Sequence, residues 1–266
     1  MNTTAGVGGS LVRARPAQVE GIKIPLPPLK EQKRIAAILD KADAIRRKRQ
    51  QAIKLADDFL RAVFLDMFGD PVTNPKGWEK VKLGDLTNIV RGGSPRPIQN
   101  YLGGSIPWIK IGDATKGNDI YIDSTKEKII EAGLAKTRLL QPGAIIFANC
   151  GVSLGFARIL KITGCIHDGW LALDVVDDRL SKLFLLKALN QITKYFQDTA
   201  PDGTQPNLNT TIMKDFELIL PPLALQEKYV AIMHKINAFK DNYISSLTSI
   251  NEMFSSTSQK AFSGKL

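Results

Sequence analysis

One segment of this sequence occurs twice, and the repeat constrains the fold more than any single residue does. Residues 22–32 read Ile-Lys-Ile-Pro-Leu-Pro-Pro-Leu-Lys-Glu-Gln, and residues 216–226 read Phe-Glu-Leu-Ile-Leu-Pro-Pro-Leu-Ala-Leu-Gln. Each copy leads directly into a long segment with helical apolar spacing. A long-period repeat of this kind predicts two similar helices on either side of one globular domain.

The first helical segment runs from Leu29 to Phe68 without an internal glycine or proline, and Gly69 and Pro71 mark its end. Apolar residues recur in it at alternating steps of three and four, which is typical of a coiled coil. The same positions moved by 194 residues keep this register in the second segment, which Gly264 follows. The predicted coiled-coil seam consists of Ile35, Ile38, Ile45, Phe59, Ile232, Ile236, Phe239, Ile250 and Met253. For either helix taken alone, an ordinary amphipathic core helix is the alternative interpretation.

The segment between the two helices has the pattern of a mixed α/β domain. Short apolar or alternating runs predict strands at 80–83, 106–111, 144–149, 157–162 and 171–176, and apolar spacing predicts a helix at 181–197. The predicted fold class is therefore α+β, with one mixed α/β domain flanked by two long helices. Residues 1–21 align, by the same shift, with the end of this domain, and we interpret them as the remnant tail of a preceding one. The predicted boundaries are 1–21, 22–70 for a strand and the first helix, 71–220 for the domain and 221–266 for the second helix.

The charge balance favours a polyanionic partner. The chain has 36 Lys and Arg against 26 Asp and Glu, a net charge of +10 with a pI near 9.5. Such an excess is most often associated with nucleic acid. A basic protein without such a partner is the alternative that charge alone leaves open.

Several functional classes find no support in the sequence. The two histidines and two cysteines have no metal-binding spacing, and no phosphate-binding loop occurs. The Gly151-Val152-Ser153-Leu154-Gly155 segment matches a hydrolase pattern, but neither His167 nor His234 follows where that fold requires one. We expect no catalytic residues, no metal and no cofactor. With no apolar stretch long enough to span a membrane and no signal pattern at the N-terminus, we expect a cytoplasmic protein.

Two polar, glycine-containing loops of the central domain are the candidate DNA-reading elements. Arginine pairs in bidentate fashion with guanine, and asparagine and glutamine pair similarly with adenine. Lysines and arginines elsewhere on the domain are candidates for phosphate contacts. The predicted DNA-binding residues are Arg91, Ser94, Arg96, Lys110, Lys116, Arg138, Asn149, Arg158, Thr204, Gln205, Asn207, Asn209 and Lys214. The Arg46-Arg47-Lys48-Arg49 run could contact phosphates, but we favour the solvated face of a coiled coil.

Five segments together resemble one protein family. They are residues 24–35, 77–86 (Gly-Trp-Glu-Lys-Val-Lys-Leu-Gly-Asp-Leu), 106–111 (Ile-Pro-Trp-Ile-Lys-Ile), 220–226 and 259–264. In motifs, order and spacing they are similar to the specificity subunit of type I restriction-modification systems. The resemblance covers about residues 10–266.

The resemblance implies a fold and a set of partners. Such subunits carry two target recognition domains separated by two antiparallel helices, and each domain reads half of an interrupted site in double-stranded DNA. The helices set the spacer and dock modification subunits, which bind S-adenosylmethionine and methylate adenine. Restriction subunits then complete the nuclease, and the specificity subunit itself is not catalytic.

The chain departs from the family pattern because it contains one complete recognition domain. The resemblance therefore implies a half-length or truncated form, and we expect a homodimer that pairs through the long helices and reads an interrupted palindrome. The alternative is an assembly or decoy protein. Such a protein would pair with a full-length specificity subunit or a modification subunit without reading DNA.

Overall fold

The computed structural model describes residues 4–6, 12–14, 16–22, 26–115, 120–151, 153–200 and 207–263. The helices are α1 (Pro16–Glu20), α2 (Leu29–Phe68), α3 (Leu83–Leu86), α4 (Lys182–Gln191), α5 (Thr193–Thr199), α6 (Thr210–Asp215) and α7 (Leu223–Phe262). Short 3-10 helices lie at Ile98–Tyr101, Ile111–Asp113 and Glu131–Lys136. The strands are β1 (Thr4–Gly6), β2 (Val12–Ala14), β3 (Lys80–Lys82), β4 (Thr87–Arg91), β5 (Leu102–Ile109), β6 (Tyr121–Ile122), β7 (Glu127–Ile129), β8 (Arg138–Leu140), β9 (Ile145–Ala148), β10 (Ala157–Leu160), β11 (Gly164–Ile166), β12 (Trp170–Val175) and β13 (Glu217–Ile219). Within these residues no helix is long and apolar enough to cross a membrane.

The α+β class and the two long helices are confirmed, and α2 has the predicted bounds. It ends where Gly69 adopts a left-handed conformation with φ 77° and donates its N–H to Leu65 O over 2.8 Å. A Cβ atom at this position would lie 2.7 Å from Pro75 Cγ, so glycine suits the turn for a second reason. The predicted helix at 181–197 is interrupted at Ile192, which separates α4 from α5. Most of the strand predicted within the first repeat, residues 23–25, lies outside the described residues.

The chain divides into two compact units. The first comprises residues 1–57 and 237–266, and the second comprises residues 58–236. The last turns of α2 and the first turns of α7 belong to the second unit, so its core is wider than the predicted 71–220 segment.

Two sheets form the body of the second unit. The larger has the strand order β4-β12-β9-β10-β6, in which β12 is antiparallel to both neighbours and β10 is parallel to β6. The smaller has the order β7-β5-β11-β8, in which only β5 and β11 are parallel. Strands β3 and β13 form a separate antiparallel pair that joins the start of the domain to its end.

The larger sheet is buried on both faces. Phe147 and Leu171 belong to a cluster that also contains Leu186 of α4, whereas Ile146 and Trp170 belong to a second cluster with Ile166 of the other sheet. Successive side chains of a strand point to opposite faces, so neighbouring residues of β9 and β12 join different cores. The larger sheet therefore lies between the smaller sheet and a helical layer.

Four aromatic rings pack the end of α2 and the start of α7 against this helical layer. The Phe64 and Phe68 centroids lie 4.9 Å apart, and Phe184 and Tyr229 lie 4.9 and 5.6 Å from Phe68 in edge-to-face arrangements. The Tyr229 hydroxyl donates to Leu60 O at 3.3 Å. Such ring pairs stabilise a core beyond the area that they bury.

Within the first unit the two long helices run antiparallel to each other. The Lys240 ammonium pairs with Asp57, whereas Arg46 further back along α2 lies over the ring of Phe254, 5.2 Å from its centroid. Arg49 lies over Tyr243 at 5.9 Å. Residues later in α7 thus contact residues earlier in α2. The charged ends of the lysine and arginine side chains keep their partners, while the aliphatic parts lie against the neighbouring helix.

The coiled-coil seam differs from the prediction at alternate positions. Ile35, Ile232, Ile236 and Ile250 are half-buried as predicted, but five other predicted seam residues are exposed in the chain: Ile38, Ile45, Phe59, Phe239 and Met253. The more buried positions lie one residue further along, at Leu39, Arg46, Leu60, Lys240 and Phe254. At two of these positions hydrophobicity favoured the apolar residue, Ile45 over Arg46 and Phe239 over Lys240, whereas the pairing buries the long cationic side chain more deeply. In the other pairs both residues are apolar. These five side chains are exposed in the single chain, so their place in a seam stays a prediction.

The sequence repeat is also a structural repeat. Gln32 Nε2 donates to Pro27 O at 2.7 Å, and Gln226 Nε2 donates to Pro221 O at the same distance. The copies differ in burial, since Leu26 is 82% exposed and its equivalent Leu220 only 7%. The local geometry of the repeat is therefore independent of the packing around it.

Candidate nucleic-acid interface

The glycine-rich loop at 91–97 follows β4 and packs closely against another turn. Gly92 N donates to Trp170 O at 2.9 Å, and Gly93 N donates to Ile166 O at 3.1 Å. A Cβ atom at Gly92 would lie 2.3 Å from His167 O, so no larger residue could keep this approach. The two glycines therefore bring Ser94 and two arginines against the 166–170 turn.

Asp168 is the central residue of that turn. Ser94 Oγ donates to Asp168 Oδ1 at 2.8 Å, Arg91 Nε donates to Asp168 O at 3.0 Å, and Arg96 Nη2 lies 3.5 Å from Asp168 Oδ2. Partial burial alone would raise the pKa of Asp168, but the Ser94 hydrogen bond, followed by neighbouring positive charges that include Arg96 and Arg91, lowers it below 3.8. Three predicted DNA-binding residues thus converge on one residue, Ser94 and Arg96 on its carboxylate and Arg91 on its backbone carbonyl.

His167, beside it, is the neutral member of the turn. Its Nδ1 lies 3.0 Å from Asp168 Oδ1 and 2.9 Å from Gly169 N. Because a backbone N–H can only donate, Nδ1 accepts from Gly169 and does not form an ion pair with Asp168. Burial lowers the pKa of His167 below 6.5, in agreement with this assignment. The charge of Asp168 opposes this shift, and the charges of Lys110, Arg96 and Arg91 add to it.

A cavity of about 420 Å³ adjoins the loop. It is lined by Trp108, His167 and the segment from Ser94 to Gln99. The Trp108 and His167 ring centroids lie 5.5 Å apart, and Lys110 Nζ lies 5.6 Å from the Trp108 ring while pairing with Glu127. Lys110 therefore lies beside the cavity that adjoins the loop, and it already has an acidic partner.

Asn149 connects the 166–170 turn to the second predicted loop. Its N–H donates to Gly169 O at 3.0 Å, and its Nδ2 donates to Asn207 Oδ1 at 3.2 Å. Leu208 N returns a hydrogen bond of 2.8 Å to Asn149 O. Asn149 is fully buried, so its predicted contact with DNA is corrected to a structural link. That link brings Asn207 and Leu208, at the described end of the second predicted loop, to the turn on which the first loop packs.

The remaining predicted residues have varied positions. Asn209 caps α6 by accepting from Ile212 N at 2.9 Å, and Lys214 is exposed on the same helix. Arg138 is exposed on β8, directly after Thr137, whose hydroxyl donates to Ile166 O. Arg158 is half-buried, with its guanidinium 4.7 Å from the Phe156 centroid. Lys116, Thr204 and Gln205 lie outside the described residues.

Neither cysteine belongs to a metal site, since the described part of the chain places no three His, Cys, Asp or Glu side chains where they could hold an ion. Burial raises the pKa of Cys165 to about 11. Burial, and to a lesser extent the charge of Asp168, also raises the pKa of the half-buried Cys150 thiol. Both groups are therefore thiols at neutral pH.

Comparison with known proteins identifies the family of this chain. Residues 3–55 and 75–249 match the model of the type I restriction modification DNA specificity domain, which covers most of the chain. The chain belongs to this family.

Several specificity-family proteins are similar to the chain over part of their length. The HindI specificity subunit of Haemophilus influenzae is 30% identical over 170 residues, which are 60% of this chain and 36% of that protein. The MjaIX specificity subunit of Methanocaldococcus jannaschii is 25% identical over 171 residues, 63% of this chain and 40% of that protein. The HsdS subunit from Thermoanaerobacter tengcongensis has the same fold, with a TM-score of 0.58 and 24% identity over 100% of this chain and 67% of that one. The chain thus spans about two fifths of the length of these two curated relatives.

Within this specificity-family domain, sequence reasoning missed the residues that organise the loop. Trp108 lies in the 106–111 family segment but was not named as a site residue, and Asp168 and His167 belong to no family segment. An acidic residue in a basic protein also gives no signal of a role near DNA. The one available indication is Gly169, since the short Asp-Gly pair predicts a turn between two buried strands. Asp168 acquires its importance only when β4 and β12 pair and bring Arg91 beside it.

Proposed function

We propose that the chain is a non-catalytic DNA-recognition subunit of a type I restriction-modification complex, whose domain reads half of an interrupted site. The observation that carries this proposal is the position of the 91–97 loop. Backbone hydrogen bonds hold it against the 166–170 turn, and it places Arg91 and Arg96 on the side of the domain where the second loop ends. Arg96 is 79% exposed, as a group that reaches into a DNA groove must be. Membership of the specificity family supports the same conclusion.

The proposal also includes partner subunits that carry out the chemical reactions. Modification subunits would dock on the long helices and supply S-adenosylmethionine and adenine methylation, and restriction subunits would complete the nuclease. Since its target is chromosomal or invading DNA, the cytoplasm is the proposed compartment. Arg91, Arg96 and Asn207 are proposed to face bases, and Lys110, Arg138, Arg158 and Lys214 phosphates.

We also propose that two copies pair through the long helices. The support is the set of exposed apolar residues on α2 and α7, among them Phe239 and Met253, which are 62% and 67% exposed. Large apolar side chains at such spacing on adjacent helices are typical of an interaction surface. Isologous pairing would present two recognition domains to one interrupted palindrome.

Selection from a randomised duplex library tests the function directly. The purified chain should enrich a preferred sequence and should bind it with a steep salt dependence, because phosphate contacts release counterions. Salt-sensitive binding without any enriched sequence would favour the assembly or decoy alternative. Adenine methylation mapped genome-wide with and without the gene would then report the site and its symmetry.

A further inference from the structure

Asp168 places a carboxylate at the centre of the surface that is proposed to bind DNA. Asp168 lies among Arg91, Arg96 and the nearby Lys110, and about a third of its side chain is exposed. Its charge opposes the approach of any phosphate group to the same place. A neutral residue could accept the Ser94 hydrogen bond without that cost.

The contacts of Asp168 are directed at the loop that carries the proposed reading residues. Oδ1 accepts from Ser94 and Oδ2 faces Arg96, while the backbone carbonyl accepts from Arg91. One residue thus constrains three positions of a loop whose backbone is already held by Gly92 and Gly93. Arg96 keeps most of its surface free, so the carboxylate orients the guanidinium without burying it.

We infer that Asp168 is a positioning and specificity-determining residue for DNA reading. Its carboxylate orients Arg96 for a base edge, and its negative charge weakens complexes in which the loop meets only the phosphate backbone. The inference rests on the proposed function, since it concerns how the same loop discriminates between duplexes.

The two roles predict opposite changes for two kinds of DNA. In a complex with the preferred duplex, an oriented Arg96 forms a bidentate pair with a base. The Asp168 carboxylate still contacts the guanidinium on the side away from that base. In an unmatched complex, the guanidinium can only approach phosphates, which lie against the carboxylate. Removing the negative charge of Asp168 should therefore raise the affinity for non-specific DNA, whereas removing only the Ser94 hydrogen bond should not.

Asp168→Asn and Ser94→Ala separate charge from anchoring. Asp168→Asn keeps the size of the side chain and an acceptor for Ser94, whereas Ser94→Ala removes the hydrogen bond and leaves all charges in place. The matched control is Asp177→Asn, which neutralises a carboxylate that is likewise paired with an arginine, Arg179, elsewhere in the domain. Thermal denaturation of each full-length variant checks that it is folded.

Affinity is measured by fluorescence anisotropy for the duplex that the wild-type chain enriches and for a scrambled duplex of equal composition. Asp168→Asn should bind the scrambled duplex about two- to fivefold more tightly, the change expected for one partly exposed charge, and should lose preference for the enriched one. Ser94→Ala should bind the enriched duplex about tenfold more weakly without any gain for the scrambled duplex. Asp177→Asn should leave both affinities unchanged.

The outcomes distinguish this inference from the proposed function. If the wild-type chain enriches no sequence, the proposed function fails and the inference with it. If it enriches a sequence but Asp168→Asn keeps the wild-type ratio of affinities, the inference alone is overturned. Equal behaviour of Asp168→Asn and Ser94→Ala would overturn the role of the charge.

Discussion

Gln226 Nε2 donates a 2.7 Å hydrogen bond to Pro221 O within the second copy of the repeat, and the same amide donates to Arg179 O at 2.9 Å. Its Oε1 accepts from Ser181 N at 2.9 Å, so a single buried side chain joins the start of α7 to the turn before α4. Gln32, its equivalent in the first copy, is only half-buried and makes the one bond to Pro27.

The repeat supplies a matched pair of variants for this contact. Gln226→Ala should lower the free energy of unfolding by about 2–4 kcal/mol, because three backbone groups, Pro221 O, Arg179 O and Ser181 N, lose this partner. Gln32→Ala should cost about 1 kcal/mol or less, since water can reach the freed carbonyl. Urea denaturation of both variants checks the difference, and equal losses would contradict the account.

The aromatic cluster should be a major source of stability for the second unit. Phe68→Ala removes a fully buried ring that contacts Phe64, Phe184 and Tyr229, and should lower the free energy of unfolding by about 3–5 kcal/mol. Phe59→Ala, at an exposed position of the same helix, is the control and should change it by about 0.5 kcal/mol or less. Guanidinium unfolding followed by circular dichroism measures both.

Exposed and half-buried apolar residues of the long helices should have different roles. Changing Phe239 and Met253 together to glutamine should dissociate the proposed homodimer while leaving helix content unchanged. Changing Leu39 and Leu247 to glutamine should instead lower the melting temperature, because these side chains are half-buried in the single chain. Sedimentation and circular dichroism distinguish the cases, and a wild-type monomer at every concentration would remove the dimer proposal.

The two thiols should react at different rates. Cys165 is buried with a pKa of about 11, so a disulfide reagent at pH near 8 should modify it only as fast as the protein unfolds. Cys150 is half-buried and should react first, although more slowly than a free thiol because its pKa is also raised. Cys150→Ser should abolish the faster phase, whereas Cys165→Ser should retain it.

The stability of the domain should fall in mild acid because of His167. Its pKa is lowered on folding, so below pH 6.5 the unfolded state takes up the proton more readily than the folded state does. The contribution is complete above pH 6.5 and is lost as the pH falls through that value. His167→Gln should show a smaller loss of stability between pH 7.5 and 5.5 than the wild type, and urea denaturation at both pH values measures the difference.

The sequence by itself determined the features that depend on local pattern. The periodicity of α2 and the stop at Gly69 and Pro71 predicted its bounds, because helix propensity and chain termination act within a few residues. The Arg91-Gly92-Gly93-Ser94 segment likewise identified a loop capable of close approach. The family motifs are also local and are confirmed by the match to the specificity domain.

The tertiary structure decided which residues meet. Asn149 follows a buried strand and therefore links two turns from the interior, although its residue type suggested a base contact. Apolar pattern assigned the seam to Phe239, whereas the pairing of the helices buries Lys240 because its stem covers the neighbouring helix and Asp57 accepts its charge. Asp168 is central only because distant strands place two arginines and a serine around it. Long-range pairing sets such contacts, and no local rule of sequence contains them.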